Sequence, residues 1–314
     1  MVCIRSSIRC ESKPMITPPT ANKVDPAEQM HCMEVWGGNR GVEQHFHMPG
    51  LDVWLYSRPS DDAASGGDVY YLSSCASGRI SRLLLADVSG HGSAVAQCAR
   101  GLRELMRRHV NSVSQARFVA GMNEEFSHFN HDGNFATAIV GTFFASTGSL
   151  QLCTAGHPEP LLFRRQTGRW EVSTTTGEAA VPSQLCDLPL GIVGGVEYSQ
   201  SRLHINPGDM LLAYTDGLTE TSVANDALLG TEGLLSLVAT LDATHPERLL
   251  PSLLAALREH ATSDPADDLT LLLARADGSG VSWRNNLLAP FRLLQRTRDT
   301  THFREAFGAG AADE

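Results

Sequence analysis

Hydrophobic and polar positions change period along the chain, and this change separates the predicted strands from the predicted helices. Alternation with a period of two predicts strands, whereas apolar residues three and four positions apart predict helices. The predicted strands are residues 51–56, 68–72, 80–86, 136–144, 150–154, 160–164, 169–172, 209–215 and 269–274. The predicted helices are one that follows Gly92, one around 118–126, and two at 233–241 and 250–260.

The order of these elements indicates the fold class. Runs of adjacent strands joined by short turns such as Thr147-Gly148 favour antiparallel sheets, which helices then cover. We therefore predict an α+β fold, a layered sandwich of two mostly antiparallel β-sheets flanked by α-helices. We expect a flexible leader at 1–30, an N-terminal extension at 31–50, one main domain at 51–277 and a tail at 278–314.

Composition narrows the class of protein. The 314 residues are 42% hydrophobic and 19% charged, which is typical of a globular chain. The formal net charge of −10 argues against a nucleic-acid partner, because nothing attracts the phosphate backbone. Seven scattered cysteines without a CxxC pair indicate reduced thiols, and no stretch approaches the ~20 apolar residues of a membrane span. We expect a cytoplasmic protein without a membrane span.

Carboxylates recur where predicted strands begin or end. Asp68, Asp87, Asp216 and the Asp267-Asp268 pair each flank an apolar run. Each alone is typical of a turn or a helix cap, but their recurrence at strand ends favours one shared site. Converging carboxylate oxygens form a hard site that suits Mg²⁺ or Mn²⁺, whereas thiolates or imidazoles would indicate zinc. This pattern predicts a metal-dependent hydrolase of phosphate esters.

Histidines offer weaker hypotheses. His91 is a candidate general acid near the leaving oxygen, or it holds its loop by hydrogen bonds. For His157, between two predicted strands, a structural role is favoured. Cys32 with His45 and His47 resembles a zinc cluster, but the spacing is irregular and no fourth ligand is evident.

Six motifs then identify a family. In chain order they are Gly66-Gly67-Asp68, Ala86-Asp87-Val88-Ser89-Gly90-His91-Gly92, Thr154-Ala155-Gly156-His157-Pro158, Pro189-Leu190-Gly191-Ile192, Thr215-Asp216-Gly217-Leu218-Thr219-Glu220 and Asp267-Asp268-Leu269-Thr270. Their strings and order resemble the PPM family of metal-dependent serine/threonine phosphatases, in its bacterial SpoIIE-like branch of sporulation and stress-response enzymes. The resemblance covers roughly residues 50–275.

The resemblance implies a role for each matching residue. Asp87 would bridge two Mn²⁺ or Mg²⁺ ions, and Asp68 with the Val88 backbone carbonyl would bind one of them. Asp216 and Asp267 would bind the other. Such a pair of ions activates a water molecule for in-line attack on phosphorus, without a covalent phospho-enzyme.

One position departs from the family pattern. Tyr71 stands where the family often has a further aspartate, so we expect the loss of an outer ligand and a higher metal requirement. Two alternatives to an active protein phosphatase stay open. One is a weakened phosphatase fold that acts as a regulatory binding protein, and the other is a hydrolase of small phosphorylated metabolites.

The resemblance also implies a partner. The substrate would be phosphoserine or phosphothreonine on a bacterial regulatory protein, such as an anti-sigma-factor antagonist. The loop 221–230, with its small polar residues after Asp216, is expected to be mobile and to lie at the mouth of the site, where it would affect substrate choice. The sequence does not determine the oligomeric state.

Overall fold

The computed structural model describes residues 28–30, 35–60, 63–75, 79–90, 93–110, 112, 114–129, 133–173, 186–263 and 267–278. The strands are β1 (Glu28–Gln29), β2 (Val35–Gly38), β3 (Val42–Met48), β4 (Leu51–Arg58), β5 (Asp68–Cys75), β6 (Ile80–Val88), β7 (Ala136–Phe144), β8 (Ser149–Ala155), β9 (Leu161–Arg164), β10 (Arg169–Val172), β11 (Ser201–His204), β12 (Met210–Tyr214), β13 (Ser222–Val223), β14 (Ala227–Leu228) and β15 (Leu269–Ala276). The helices are α1 (Ser93–His109), α2 (Gln115–Phe129), α3 (Asp216–Thr219), α4 (Gly230–Ala239) and α5 (Pro246–His260). Most of the predicted leader and tail lies outside the described residues.

Two sheets form the centre of the fold. One has seven strands in the order β1-β3-β4-β15-β12-β9-β10, and the other has six in the order β11-β8-β7-β6-β5-β2. Among the described strands, every pairing is antiparallel except that of β1 with β3. The predicted α+β sandwich of two mostly antiparallel sheets is confirmed.

Alternation along β6 shows how the layers pack. Leu83 and Leu85 point between the two sheets, whereas Leu84 and Ala86 point at α1 and α2. Both faces are therefore buried, which explains why this strand appears in the sequence as a nearly continuous apolar run. Each fully buried leucine contributes about 1.5–3 kcal/mol from its removal from water.

Helix α5 covers the outer face of the seven-stranded sheet. Its apolar stripe, which includes Leu250, Leu253 and Leu257, is buried against the strands. Pro246 begins the helix, where its missing N–H leaves no intrahelical bond unmade. The two C-terminal helices therefore lie where their spacing predicts them.

The sheets begin earlier than the predicted boundary at residue 51. Strand β3 pairs with β4 over seven residues through a turn at Pro49-Gly50, where Gly50 has φ +77°. Strand β2 pairs with β5 in the other sheet. Polar residues such as Glu43 and Gln44 interrupt the apolar alternation in β3, so its pattern alone does not mark a strand.

Candidate active site

The motif carboxylates gather at one end of the sandwich. Asp68 begins β5 and lies directly opposite Asp87 in the register of β5 with β6. Asp216 begins α3, immediately beyond Thr215 and the end of β12, and the Asp267-Asp268 pair precedes β15, the neighbour of β12. Antiparallel pairing brings the end of one strand beside the start of the next, so both sheets deliver carboxylates to the same edge.

Asp68 is held between the two sheets. Its side chain is 3% exposed, and its Oδ2 accepts a hydrogen bond of 2.8 Å from the Thr215 hydroxyl. The Thr215 hydroxyl oxygen in turn accepts the backbone N–H of Thr270 at 3.0 Å. Oδ1 of Asp68 is buried and has no hydrogen-bond partner in the part of the chain that the structure describes. One carboxylate oxygen is therefore anchored and the other is left for a ligand from outside the chain.

The pKa values of the carboxylates show a strongly negative site. Burial, and then the neighbouring Asp216 and Asp267, raise the pKa of Asp87 to about 7. Burial and the charge of Asp87 raise the pKa of Asp68 well above its usual value. Burial, followed by Glu220 and Asp267, raises the pKa of Asp216 as well. A bound cation would relieve this repulsion and favour the ionised forms.

The two aspartates of the pair before β15 differ in environment. Asp268 is 7% exposed, and its Oδ1 accepts the backbone N–H of Ser60 at 2.7 Å. Its Oδ2 accepts the backbone N–H groups of Gly67 at 2.5 Å and of Asp68 at 3.3 Å. Asp267 is exposed, and its Oδ1 accepts the Asp268 N–H at 2.8 Å.

Asp268 is therefore a positioning residue that sequence reasoning missed. It ties the loop before β5 to the start of β15 and so fixes the backbone of Asp68. The sequence signal was the doublet itself, but two adjacent carboxylates do not reveal which one turns inward.

Close backbone approach explains two of the motif glycines. A Cβ on Gly66 would lie 2.1 Å from Oδ2 of Asp268, and one on Gly67 would lie 2.7 Å from the carbonyl oxygen of Val88. That carbonyl, at the end of β6, is the oxygen expected to bind an ion. The glycines are needed because any side chain there would push these groups apart.

Of the two motif histidines, His157 is described and His91 lies outside the described residues. The His157 side chain is buried, and its Nδ1 lies 2.9 Å from the hydroxyl oxygen of Thr137, the residue that pairs with Asp87 on β7. Burial lowers the pKa of His157 to about 3, so its ring is neutral at physiological pH. These contacts agree with the structural role that the sequence favoured.

Tyr71 is not part of this site, and the expectation that it replaces an outer metal ligand is wrong. Successive side chains of a strand point to opposite faces, so a residue three positions after Asp68 faces away from it. The Tyr71 side chain is 1% exposed and packs in the core beneath α1 and α2, and no described residue forms a hydrogen bond with its buried hydroxyl.

The loop 221–230 lies directly beyond Asp216. It forms the short hairpin of β13 with β14, and the Thr221 hydroxyl anchors its base by donating to the Gly217 carbonyl at 3.0 Å. Leu228 on this hairpin is 58% exposed. In the part of the chain that the structure describes, we find no helix long and apolar enough to cross a membrane.

Comparison with known proteins gives a family match over most of the domain. The family model of stage II sporulation protein E (SpoIIE) matches residues 77–277. Protein IcfG of Synechocystis sp. is 30% identical over 101 residues, which cover 32% of this chain and 14% of IcfG.

Solved structures show the same fold. The RsbU and RsbW domains of Rv1364c from Mycobacterium tuberculosis align with a TM-score of 0.62 and 28% identity, over 75% of this chain and 62% of that one. The PP2C phosphatase domain of SpoIIE from Bacillus subtilis, with a fragment of its regulatory domain, aligns with a TM-score of 0.59 and 15% identity, over 72% and 62%. The chain thus spans less than two thirds of the length of each of these relatives.

Fold and site together define a PP2C-type phosphatase domain, the PPM class. Within that class, the chain belongs to the SpoIIE family, because the family model covers well over half of its residues. The resemblance drawn from the six motifs is confirmed.

Proposed function

We propose that this protein is a metal-dependent serine/threonine phosphatase that acts on a phosphorylated regulatory protein. The observation that carries the proposal is the gathering of Asp68, Asp87, Asp216 and Asp267 at one end of the sandwich, where burial and mutual repulsion raise the pKa of the first three. Uncompensated, such a cluster destabilises the fold, so its presence favours a bound cation.

The residues fit divalent ions of the Mg²⁺ or Mn²⁺ type. The donors are carboxylate and carbonyl oxygens, and Oδ1 of Asp68 is buried without a hydrogen-bond partner among the residues described. Among the described residues, no three of these carboxylates bring oxygens within 4.8 Å of one another. Oxygens bound to one such ion lie closer together than this, so the carboxylate side chains would have to turn toward an ion as it binds.

The assignment follows the motifs. Asp68, Asp87 and the Val88 carbonyl would hold one ion, and Asp87, Asp216 and Asp267 the other. When bound, two such ions polarise the phosphoryl group and activate a water molecule. Thr215 keeps Asp68 in place by its hydrogen bond of 2.8 Å.

A protein substrate is favoured by the surface beside the carboxylates. Phe135, Ile192 and Val193 are 42%, 54% and 39% exposed. Phe135 exchanges hydrogen bonds with Ser89, two residues after Asp87, so this apolar surface adjoins the site. Exposed apolar side chains next to a catalytic site suit a protein partner better than a small polar metabolite.

The class of regulatory protein is part of the proposal. The motif resemblance implies a regulator of the anti-sigma-factor antagonist type, and the similarity to the RsbU and RsbW domains of Rv1364c supports a phosphorylated protein substrate. The alternative of a weakened, purely binding phosphatase loses its support, because it depended on Tyr71, which lies in the core. Hydrolysis of a small metabolite remains the second candidate.

The test is phosphate release from a phosphoserine peptide and from an aryl phosphate over a Mn²⁺ titration. Wild type runs beside Asp87→Asn and beside a control, Glu259→Gln, which removes one charge at an exposed position of α5. We expect metal-dependent turnover that falls about 100-fold or more in Asp87→Asn alone, since even an outer partner of a metal ligand is worth about 10- to 100-fold.

Two results would contradict the proposal. A folded wild-type chain without metal-dependent turnover would exclude the two-metal phosphatase. Turnover of the aryl phosphate alone, with the peptide untouched, would favour the small-molecule hydrolase.

A further inference from the structure

A second cluster of metal-binding side chains lies on the outer face of the seven-stranded sheet. His45 and His47 on β3 and Asp52 on β4 each offer one ligand atom, and these atoms all lie within 4.8 Å of one another. Nδ1 of His47 lies 2.5 Å from Oδ1 of Asp52, and Nε2 of His45 lies 3.9 Å from the same oxygen.

This cluster is separate from the phosphatase site. Asp52 pairs with Arg275, near the end of β15, whereas Asp268 precedes the start of that strand. A strand rises about 3.4 Å per residue, so the seven positions from 268 to 275 separate the two sites by roughly 24 Å. Ions held by the phosphatase carboxylates would therefore lie too far away to contact these histidines.

The side chains are held in place before any metal binds. The His45 ring stacks on the Trp54 ring with centroids 4.4 Å apart and planes 9° apart. Oδ2 of Asp52 accepts a hydrogen bond of 2.9 Å from Arg275, which leaves Oδ1 directed at the histidines. Outer partners of this kind orient the ligands of many metal sites.

One ring nitrogen of His45 forms no hydrogen bond with any described residue. Nε2 of His45 is buried and has no hydrogen-bond partner among the described residues, although it lies 3.9 Å from Oδ1 of Asp52. Buried polar atoms in native proteins are nearly always bonded, so an unbonded one suggests a ligand. Burial, and then the charge of His47, lower the pKa of His45, which keeps its ring in the neutral form that binds metals.

We propose that His45, His47 and Asp52 form a second metal site, which takes a late first-row divalent cation such as Zn²⁺. Two imidazoles and one carboxylate are typical zinc ligands, and a water molecule would complete the tetrahedron. The cation would join β3 to β4 and stabilise this side of the sheet. Cys32, which the sequence grouped with these histidines, lies outside the described residues and has no part in the proposal.

The test uses the full chain, with excess Mg²⁺ to occupy the oxygen-rich phosphatase site. Co²⁺ serves as the probe, because four-coordinate Co²⁺ with imidazole ligands absorbs visible light far more strongly than six-coordinate Co²⁺ among oxygens. We expect one strongly absorbing Co²⁺ per chain, displaced by Zn²⁺. His45→Gln, His47→Gln and Asp52→Asn should each weaken binding about 10-fold or more.

The matched control is His245→Gln. His245 is an exposed histidine whose Nδ1 lies 3.2 Å from a carboxylate oxygen of Glu247, so it tests the same substitution at an ordinary histidine–carboxylate pair. It should bind Co²⁺ as wild type does. Circular dichroism in chelator shows whether each variant is folded.

A second measurement needs no variant. Zn²⁺ added to the wild-type chain in excess Mg²⁺ should raise its unfolding temperature, because a ligand of the folded state stabilises it. The absence of both the absorption and the thermal shift would overturn the proposal and leave an ordinary His47–Asp52 hydrogen bond. Binding that survives in both histidine variants, or that is lost in Asp87→Asn, would also overturn it.

Discussion

The two aspartates before β15 provide a sharp test, because the same substitution at neighbouring positions should have opposite effects. Asp268 is buried and binds three backbone N–H groups, whereas Asp267 is exposed beside the other carboxylates. Both Asp267→Asn and Asp268→Asn remove one negative charge and leave the side-chain volume nearly unchanged. The comparison therefore separates charge from hydrogen bonding.

The magnitude for Asp268→Asn follows from its geometry. Its two oxygens face N–H donors on opposite sides, with Ser60 on one side and Gly67 and Asp68 on the other. An amide has only one oxygen, so its NH₂ group must face a donor whichever way it is turned. At least one hydrogen bond to a charged group is lost, worth about 1.5–3 kcal/mol, and the unfolding temperature should fall by about 3–12 °C.

For Asp267→Asn we expect an unfolding temperature in chelator equal to or above that of wild type. The exposed side chain loses only a charge that repels Asp87 and Asp216. If Asp267 binds an ion, the same variant should also need an about 10-fold or higher Mn²⁺ concentration for half-maximal turnover.

The assays are thermal unfolding in chelator and the Mn²⁺ dependence of phosphate release. Equal unfolding temperatures for the two variants would refute the positioning role of Asp268. An unchanged Mn²⁺ requirement in Asp267→Asn would remove that residue from the proposed ligands.

Three further predictions concern other buried groups. The pKa of Asp87 is raised from 3.8 to about 7 in the folded chain, so the folded state binds this proton more tightly than the unfolded state does. In chelator, the free energy of unfolding should therefore fall as pH rises through this interval. The difference between the free energies of unfolding at about pH 5 and about pH 8 should be smaller in Asp87→Asn than in wild type. Tyr71→Phe removes a buried hydroxyl that has no hydrogen-bond partner among the described side chains and backbone, so urea unfolding should show equal or greater stability. Tyr71→Asp should unfold the domain instead of improving metal binding. Arg82 is 3% exposed, and its side chain donates hydrogen bonds to the Thr142 hydroxyl and to two backbone carbonyls that follow α1. Arg82→Met should therefore lower the free energy of unfolding by about 3 kcal/mol or more. A loss below about 1 kcal/mol would contradict this role of Arg82.

The local pattern of apolar and polar residues was enough to predict many of the strands and helices of the fold. The period of two located strands such as β6 and β15, and the apolar stripe located α5, because burial on one or both faces selects the residues directly. The strand-end positions of Asp68, Asp87 and Asp216 followed from the same pattern. The pattern did not predict strand β3, because polar residues such as Glu43 and Gln44 interrupt its alternation.

What only the tertiary structure decided is which side chains meet across strands. The sequence cannot show that Asp268 turns inward to bind the loop before β5, while Asp267 stays exposed. The family resemblance placed Tyr71 near the site, yet strand geometry turns it to the opposite face. The sequence grouped His45 with His47 but not with Asp52, because that contact depends on the register of β3 with β4. Register arises from the packing of the whole sheet, and neighbours along the chain do not carry it.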